Sequence, residues 1–174
     1  YTIEFKNMHS LYDGLREKEF NKKLFVAWQN GVTGFPFLDA CMRSLKANGW
    51  INFRMRAMLI SFASYHLWIH WKHTADFLAS LFIDYEPGIH YSQSQMQSGT
   101  TGINSIRIYN PIKQGKDHDP KGVFIRKWVP ELSNLSDNDI HTPWLSRVKL
   151  KDYPAPIVDE KIARNEAAKK IYDI

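Results

Sequence analysis

Leu38, Cys41, Met42 and Leu45 recur at i, i+3, i+4 and i+7, which puts them on one face of a helix. Gly31-Val-Thr33-Gly34-Phe-Pro36 precedes them as a turn, and Pro36 suits a first helical turn. Asn48-Gly49 supplies a stop, so the pattern predicts a helix over 36–47. The stretch from about 51 to 72 is apolar almost all round, with Met55, Met58, Leu59, Phe62, Ala63, Leu67, Trp68 and Trp71. A helix of that kind belongs in the middle of an all-α domain. Thr74-Ala-Asp-Phe reads as the start of another helix running to about 83. Residues 85–105 show no regular period beyond a short helical turn at 93–97, and long irregular segments inside a domain usually carry function. Asp159 is a good N-cap for a last amphipathic helix with Ile162, Ala163 and Ile171 inward. Ahead of residue 30 only weak helical patterns occur, around 10–19 and 20–29. Strand signals are nearly absent. The predicted fold is all-α, one domain over 1–174 with long irregular loops.

Composition agrees with a folded core: the 174 residues are 44% hydrophobic and 14% aromatic, far from a disordered composition. The longest uncharged apolar run, Ala57 to Trp71, falls short of the roughly 20 residues that span a bilayer, so no membrane segment is expected. A single cysteine, Cys41, excludes an intrachain disulfide framework and a cysteine-ligated iron–sulfur cluster. With no signal pattern at the N-terminus, a reducing compartment is expected: cytoplasmic, or nuclear or organellar in a eukaryote. The chain opens on Tyr1 rather than Met, and is expected to be a piece of something longer.

Charge is unevenly placed. Residues 74–106 contain no Lys or Arg and carry only Asp76, Asp84 and Glu86 as charges. Residues 107–128 then hold Arg107, Lys113, Lys116, Lys121, Arg126 and Lys127 against Asp117 and Asp119, interleaved with Tyr109, Phe124 and Trp128. With a net charge of +5 overall, that segment is a candidate grip on phosphates, or else an ordinary solvated loop. Arg54 and Arg56 near the start of the apolar helix call for a counter-charge or an anionic ligand. Asp84 or Glu86 is the natural partner, as a structural ion pair or as a polar clamp on a ligand. His66, His70 and His73 at i, i+4 and i+7, with Asp76 beyond, have a spacing that can hold zinc. They lack the His-Glu-x-x-His arrangement and lie among apolar residues, so they read as packed histidines and no metal site is assigned.

The order of segments is more specific than any one of them. Trp28-x-x-Gly31-x-Thr33-Gly34-Phe-Pro36-x-x-Asp39-Ala40-x-Met42-Arg43-x-Leu45 is followed by Gly49-Trp50-x-x-x-Arg54-x-Arg56, then Ser61-Phe62 and Trp71. Arg107-Ile-Tyr-Asn110-Pro111, Gln114, Asp119-Pro120-x-Gly122, Ile125-Arg126-x-Trp128-Val-Pro130-Glu131-Leu132 and Tyr153-Pro-x-Pro-Ile157-Val158-Asp159 complete the series. Collinear over about 25–165, it closely resembles the FAD-binding domain of the cryptochrome/photolyase family. The resemblance implies the C-terminal part of an all-helical FAD domain, without the antenna domain and without the early helices that carry a phosphate-binding stretch. It implies FAD as cofactor and DNA with pyrimidine photoproducts as partner, together with the preceding part of the same protein. The implied activity is light-driven electron transfer from reduced FAD that repairs the lesion, a deoxyribodipyrimidine photolyase-like lyase reaction. The alternative is a blue-light sensor of the cryptochrome type, or a degenerate domain without repair activity.

Carried over residue by residue, Arg56 and Asp84 match the family's pair beside the flavin. Glu86 takes the place of a second acidic residue near the ribityl and ribose region. Phe53 and Ile89 fall at flavin-contacting positions, and His90 where the family places the residue facing flavin N5. Trp71 matches the middle member of the electron-transfer tryptophan chain. Arg54, Met96, Arg107, Lys113, Gln114 and Arg126 fall in segments that face DNA in repair enzymes. Four positions depart from the family pattern, the first being His90, where Asn, Asp or Cys is usual. An Asn-Arg pair reads Phe53-Arg54 here, and a Trp-Gln-Trp stretch reads Ser94-Gln95-Met96. Ser94 therefore stands where the flavin-proximal tryptophan belongs, and Met96 where a substrate-contacting tryptophan belongs. Tyr85, Tyr91, Trp50 and Trp68 are the alternative aromatic routes.

Overall fold

Pro36 opens the helix that organises the molecule. In the computed structural model, which describes residues 2–103, 105–148, 150 and 152–173, this helix packs against four others. The helices in chain order are α1 (Lys22–Asn30), α2 (Pro36–Asn48), α3 (Phe53–Ser61), α4 (Trp71–Ala79), α5 (Pro87–Ser98), α6 (Pro111–His118), α7 (Val123–Trp128) and α8 (Glu160–Tyr172). A π-helical turn, Phe62–His66, extends α3, and short 3-10 turns punctuate the loops. No strand forms among the described residues, so the all-α expectation holds. Among the described residues no helix is long and apolar enough to cross a membrane.

Helix α2 packs against α1, α3, α6 and α7. Its faces bury Leu38, Cys41, Met42 and Leu45, as the spacing predicts, with Trp28, Met58, Leu59, Phe62, Leu78 and Ile125 in the same core. Gly49 ends it in the left-handed conformation at φ 70°, donating its N–H to Leu45 O. The turn before it is tied by Asp39, which is fully buried. Its carboxylate accepts from Thr33 N (2.9 Å), Thr33 Oγ1 (2.6 Å), Gly34 N (3.0 Å) and Tyr153 Oη (2.6 Å). The Thr-Gly-Phe-Pro-x-x-Asp stretch and the distant Tyr153 are thus one hydrogen-bonded unit. Burial pushes the Asp39 carboxyl up to about 6 against the pull of those hydrogen bonds.

Two long stretches of chain depart from the sequence expectation. The helix predicted over 51–72 is interrupted: α3 widens into the π turn, and the chain then reverses through Trp68 at φ 54° before α4 starts at Trp71. No Pro or Gly marks this break. A non-glycine residue there costs about 1–3 kcal/mol, which tertiary contacts must offset. Arg16 and Lys170 each sit 4.5 Å from the Trp68 ring centroid. The second departure is 85–105, where twelve residues form α5 instead of an irregular segment. Its buried positions are polar: Ser94 Oγ donates to His90 O, and Gln95 bonds Ile3 O, Lys6 O and Met8 N. A hydropathy period cannot register such a helix. Glu86 with Pro87 caps its start, and Gly99 in the left-handed conformation ends it.

At α8 the N-cap Asp159 accepts from Ile162 N as expected. Ala167 and Ile171 face inward, whereas Ile162 is 58% exposed and Ala163 only half-buried. The helix expected over 74–83 is α4 and begins earlier, at Trp71. The weak pattern over 10–19 resolves into a 3-10 turn at Ser10–Tyr12, and that over 20–29 into α1.

Candidate functional site

Asn52 caps α3 by accepting from Met55 N, which sets the helix so that Arg56 leans toward the loop after α4. Arg56 Nη2 meets Asp84 Oδ2 at 2.9 Å, Nε donates to Ile51 O at 2.8 Å, and the guanidinium carbon lies 4.1 Å from the Phe82 ring centroid. The Arg56 guanidinium holds the Asp84 carboxyl below the usual carboxylate range. Arg54, two residues earlier and on the other side of the helix, is exposed to solvent and needs no counter-charge. Only Arg56 behaves as the buried-charge argument requires.

Glu86 closes the loop. Its side chain caps α5 by accepting from Gly88 N (3.1 Å) and Ile89 N (2.7 Å), and Pro87 opens the helix. One turn on, His90 Nε2 bonds Ala75 O at 2.8 Å. A carbonyl only accepts, so Nε2 carries the hydrogen and Nδ1 is left as the acceptor. Burial lowers the imidazole pKa, keeping the ring neutral near pH 7.

These side chains surround a cleft of about 390 Å³ lined by Phe53, Arg56, Ile60, Phe82, Asp84, Tyr85, Glu86, Ile89, His90 and Gln93, among others. It is within the size range of small-molecule sites. Gln93 Oε1 is buried there without a hydrogen-bond partner among the described residues. Ile89 and Phe53, 66% and 58% exposed, leave a large apolar rim uncovered. All six residues named as cofactor contacts thus lie on one cleft. Trp71 does not. It is 1% exposed behind α5, edge-on to Tyr91, with Nε1 donating to Asn7 Oδ1 at 2.7 Å.

The residues matched to DNA-facing positions divide. Arg54 and Gln114 line a second hollow of about 510 Å³ with His118, and Phe53 borders both hollows. Gln114 Oε1 is also buried without a partner. Lys113 is exposed nearby on α6 and pairs with Asp117 at 2.6 Å. Arg107 is exposed, its carbonyl accepting from Ser61 Oγ. Met96 is half-buried on α5 and lines neither hollow. Arg126 is engaged with its own loop, bonding Lys121 O, Ser133 O, Leu135 O and Asp137.

The three histidines are apart in role: His66 bonds Glu160 at 3.3 Å, His70 caps α4, and His73 lies against Phe20. No group of three His, Cys, Asp or Glu among the described residues is placed to hold a metal ion. Sequence reasoning missed Gln93 and Gln97, whose only signal was their place within the Lys/Arg-free stretch.

A family model described as the FAD binding domain of DNA photolyase matches residues 1–173. The chain belongs to this family. Among relatives of the photolyase FAD-binding domain, it is 35% identical over 170 residues to a deoxyribodipyrimidine photo-lyase of Alkalihalophilus pseudofirmus, covering 90% of this chain and 36% of that protein. It is 37% identical over 155 residues to a cryptochrome DASH of Gloeobacter violaceus, covering 82% and 31%. An archaeal photolyase from Sulfolobus tokodaii, solved with two FAD molecules, superposes with a TM-score of 0.92 at 31% identity, over 99% of this chain and 40% of that one. The chain therefore spans about a third of the curated relatives it matches. Identity to a photolyase and to a cryptochrome is nearly the same, so it does not separate repair from sensing.

The cleft can be tested against the cofactor of the family. Apolar walls, two carboxylates and an unpartnered amide oxygen suit a flat ring system and a polyhydroxylated chain, which offer a face and hydroxyl donors. A diphosphate needs a cation. Among the lining residues Arg56 alone is cationic, and Asp84 already neutralises it. The residues present fit the ring and sugar-alcohol half of FAD and supply no clamp for its phosphates.

Proposed function

We propose that this chain forms one wall of the flavin site in a photolyase-like protein that repairs pyrimidine photoproducts in DNA. The observation that carries the reading is the convergence of Arg56, Asp84, Glu86 and His90 on one apolar-walled cleft. When bound, FAD supplies a photoexcitable electron donor. Asp84 has one oxygen beyond its Arg56 bond, and Gln93 Oε1 is free, to accept from ribityl and ribose hydroxyls. The Ala75 carbonyl orients His90 so that Nδ1 is an acceptor at the position resembling the one that faces flavin N5. Ile89 and Phe53 exclude water from the rim. The diphosphate contacts come from elsewhere in the same protein.

The neighbouring hollow with Arg54, Gln114 and His118, flanked by Lys113, supports DNA as the partner. A lesion within a duplex must leave the stack to reach such a cleft. Phosphate contacts by Arg54, Lys113 and Arg107 would make affinity fall steeply with salt. The second reading, a cryptochrome-type sensor, is favoured by Ser94 and Met96 standing where the family has tryptophans. Light-dependent repair of dimer-containing DNA by the full-length protein, with FAD bound and reduced, decides between them. Repair supports the lyase reading. Absence of repair in protein shown by absorbance to hold reduced FAD overturns it in favour of the sensor.

A further inference from the structure

We propose that Gln95 is a positioning residue for the cleft. It ties the N-terminal segment, residues 2–12, to the back of α5 as one cooperative unit, and so fixes the helix that presents Ile89, His90 and Gln93 to the cleft. Gln93 and Gln95 are two residues apart, about 200° round a helix, and lie on opposite sides of α5. Ile89, His90 and Gln93 line the cleft, whereas Gln95 is fully buried behind it. The Gln95 amide is used to capacity. Nε2 donates to Ile3 O at 2.8 Å and Lys6 O at 2.9 Å, and Oε1 accepts from Met8 N at 2.7 Å and Thr100 Oγ1 at 3.3 Å. The carbonyls only accept and Met8 N only donates, so a single orientation of the amide satisfies all four.

Both elements that Gln95 joins depend on directional bonds. The N-terminal segment forms two 3-10 turns, Thr2–Glu4 and Ser10–Tyr12, and leaves Phe5, Met8 and Leu11 exposed. Ile3 packs on the small cluster of Trp71, Ala75 and Tyr91. Further ties run from Trp71 Nε1 to Asn7 Oδ1, from Lys72 Nζ to Glu4 O and from His9 N to Thr100 O. Three backbone groups of the segment converge on Gln95. Helix α5 buries His90, Tyr91, Ser94, Gln95, Gln97 and Ser98, a mostly polar set. An apolar face slides over its neighbours at little cost, but a polar one that shifts leaves buried donors and acceptors unpaired. Segments with few buried apolar contacts open first, and the shared amide makes segment and helix open together. A ligand that needs α5 in place therefore also holds the segment on the far side of the helix, and the reverse follows by linkage. Occupancy of the cleft by FAD rests on the function proposed above; the coupling of segment to helix does not.

Native-state hydrogen exchange on the full-length protein tests this in two arms. Without flavin, the His9 amide and the α5 amides of the wild type are expected to exchange through one shared opening. Gln95→Met keeps the size of the side chain and removes all four bonds. It should speed exchange at His9 and along α5 by about tenfold more than along α2. Met8 N loses its own acceptor in this variant, so His9 and α5 carry the comparison. Tyr153→Phe, which loosens the turn before α2, should show the opposite pattern. With FAD, protection should rise at His9 in the wild type and in Tyr153→Phe. In Gln95→Met that rise is lost and FAD binds about tenfold more weakly. Exchange in Gln95→Met that rises no more along α5 than along α2 overturns the assignment, as does FAD-dependent protection of His9 that survives there. If Gln95→Met does not fold, the wild type decides: a shared opening supports the coupling, and independent exchange of segment and helix overturns it. Failure of the flavin reading shows instead as wild-type protein that takes up no FAD, with the flavin-free arm still deciding the role of Gln95.

Discussion

Arg56 Nη2 and Asp84 Oδ2 stand 2.9 Å apart, joining the first turn of α3 to the loop that leads into α5. The pair fixes one edge of the cleft, yet the Asp84 side chain is 47% exposed. An ion pair in that setting contributes at most about 1 kcal/mol. Its importance is therefore in the cleft rather than in the fold. Asp84→Asn should shift the urea unfolding midpoint little while weakening FAD uptake by the full-length protein, read by titration calorimetry or flavin fluorescence. A large stability loss with unchanged uptake would contradict this.

Asp39 is the opposite case. Removing its carboxylate leaves Thr33 N, Gly34 N and the Tyr153 hydroxyl without their acceptor in a buried place. Asp39→Ala should cost about 3 kcal/mol or more, and Tyr153→Phe about 1.5–3 kcal/mol, by denaturant unfolding.

The same carboxyl sets a pH dependence. Its folded pKa is about 6, above the unfolded value near 4. Below that unfolded value both states hold the proton and the contribution is complete. As pH rises toward 6 the unfolded chain ionises first, and this stability is lost. Unfolding midpoints measured against Asp39→Asn should therefore converge downward from about pH 4 to pH 6; a wild-type advantage growing over that window would refute the assignment.

Gly34 sits at φ 83°, and a Cβ there would strike the backbone of Ala155 and Pro156. That backbone is held by Ile157 N donating to Thr33 O at 2.9 Å, so it cannot simply yield. Gly34→Ala should cost about 3 kcal/mol, visible as a lowered melting temperature.

Arg16 is 3% exposed, with Nη1 on Ser98 O and both Nε and Nη2 without partners. Burial lowers its pKa to about 10. A charge so placed is costly despite the Tyr65 and Trp68 rings beside it. Arg16→Met should leave stability unchanged or raise it by about 1–2 kcal/mol in urea unfolding.

Local sequence settled whatever depends on a helix's own face and ends. Leu38, Cys41, Met42 and Leu45 share one apolar side, and Pro36, Gly49 and Asp159 mark boundaries, because spacing and capping act within a few residues of chain. The motif order was also enough to place Arg56, Asp84, Glu86 and His90 as one group, since it encodes a whole family's arrangement. Tertiary structure decided the rest. Trp68 reverses the chain with neither Pro nor Gly, in a tertiary setting where Arg16 and Lys170, distant in sequence, lie against its ring. Helix α5 forms with Gln95 inward because the N-terminal segment brings backbone partners to it, while the buried Ser94 bonds back to His90 O in its own helix. Arg54 turns out exposed and Arg126 engaged with its own loop, which depends on how the helices are rotated and where the loops return. The Tyr91–Asp76 hydrogen bond joins residues fifteen apart in sequence on two different helices. A pattern along the chain reports what each residue is; a buried partner depends on where the fold brings a second one.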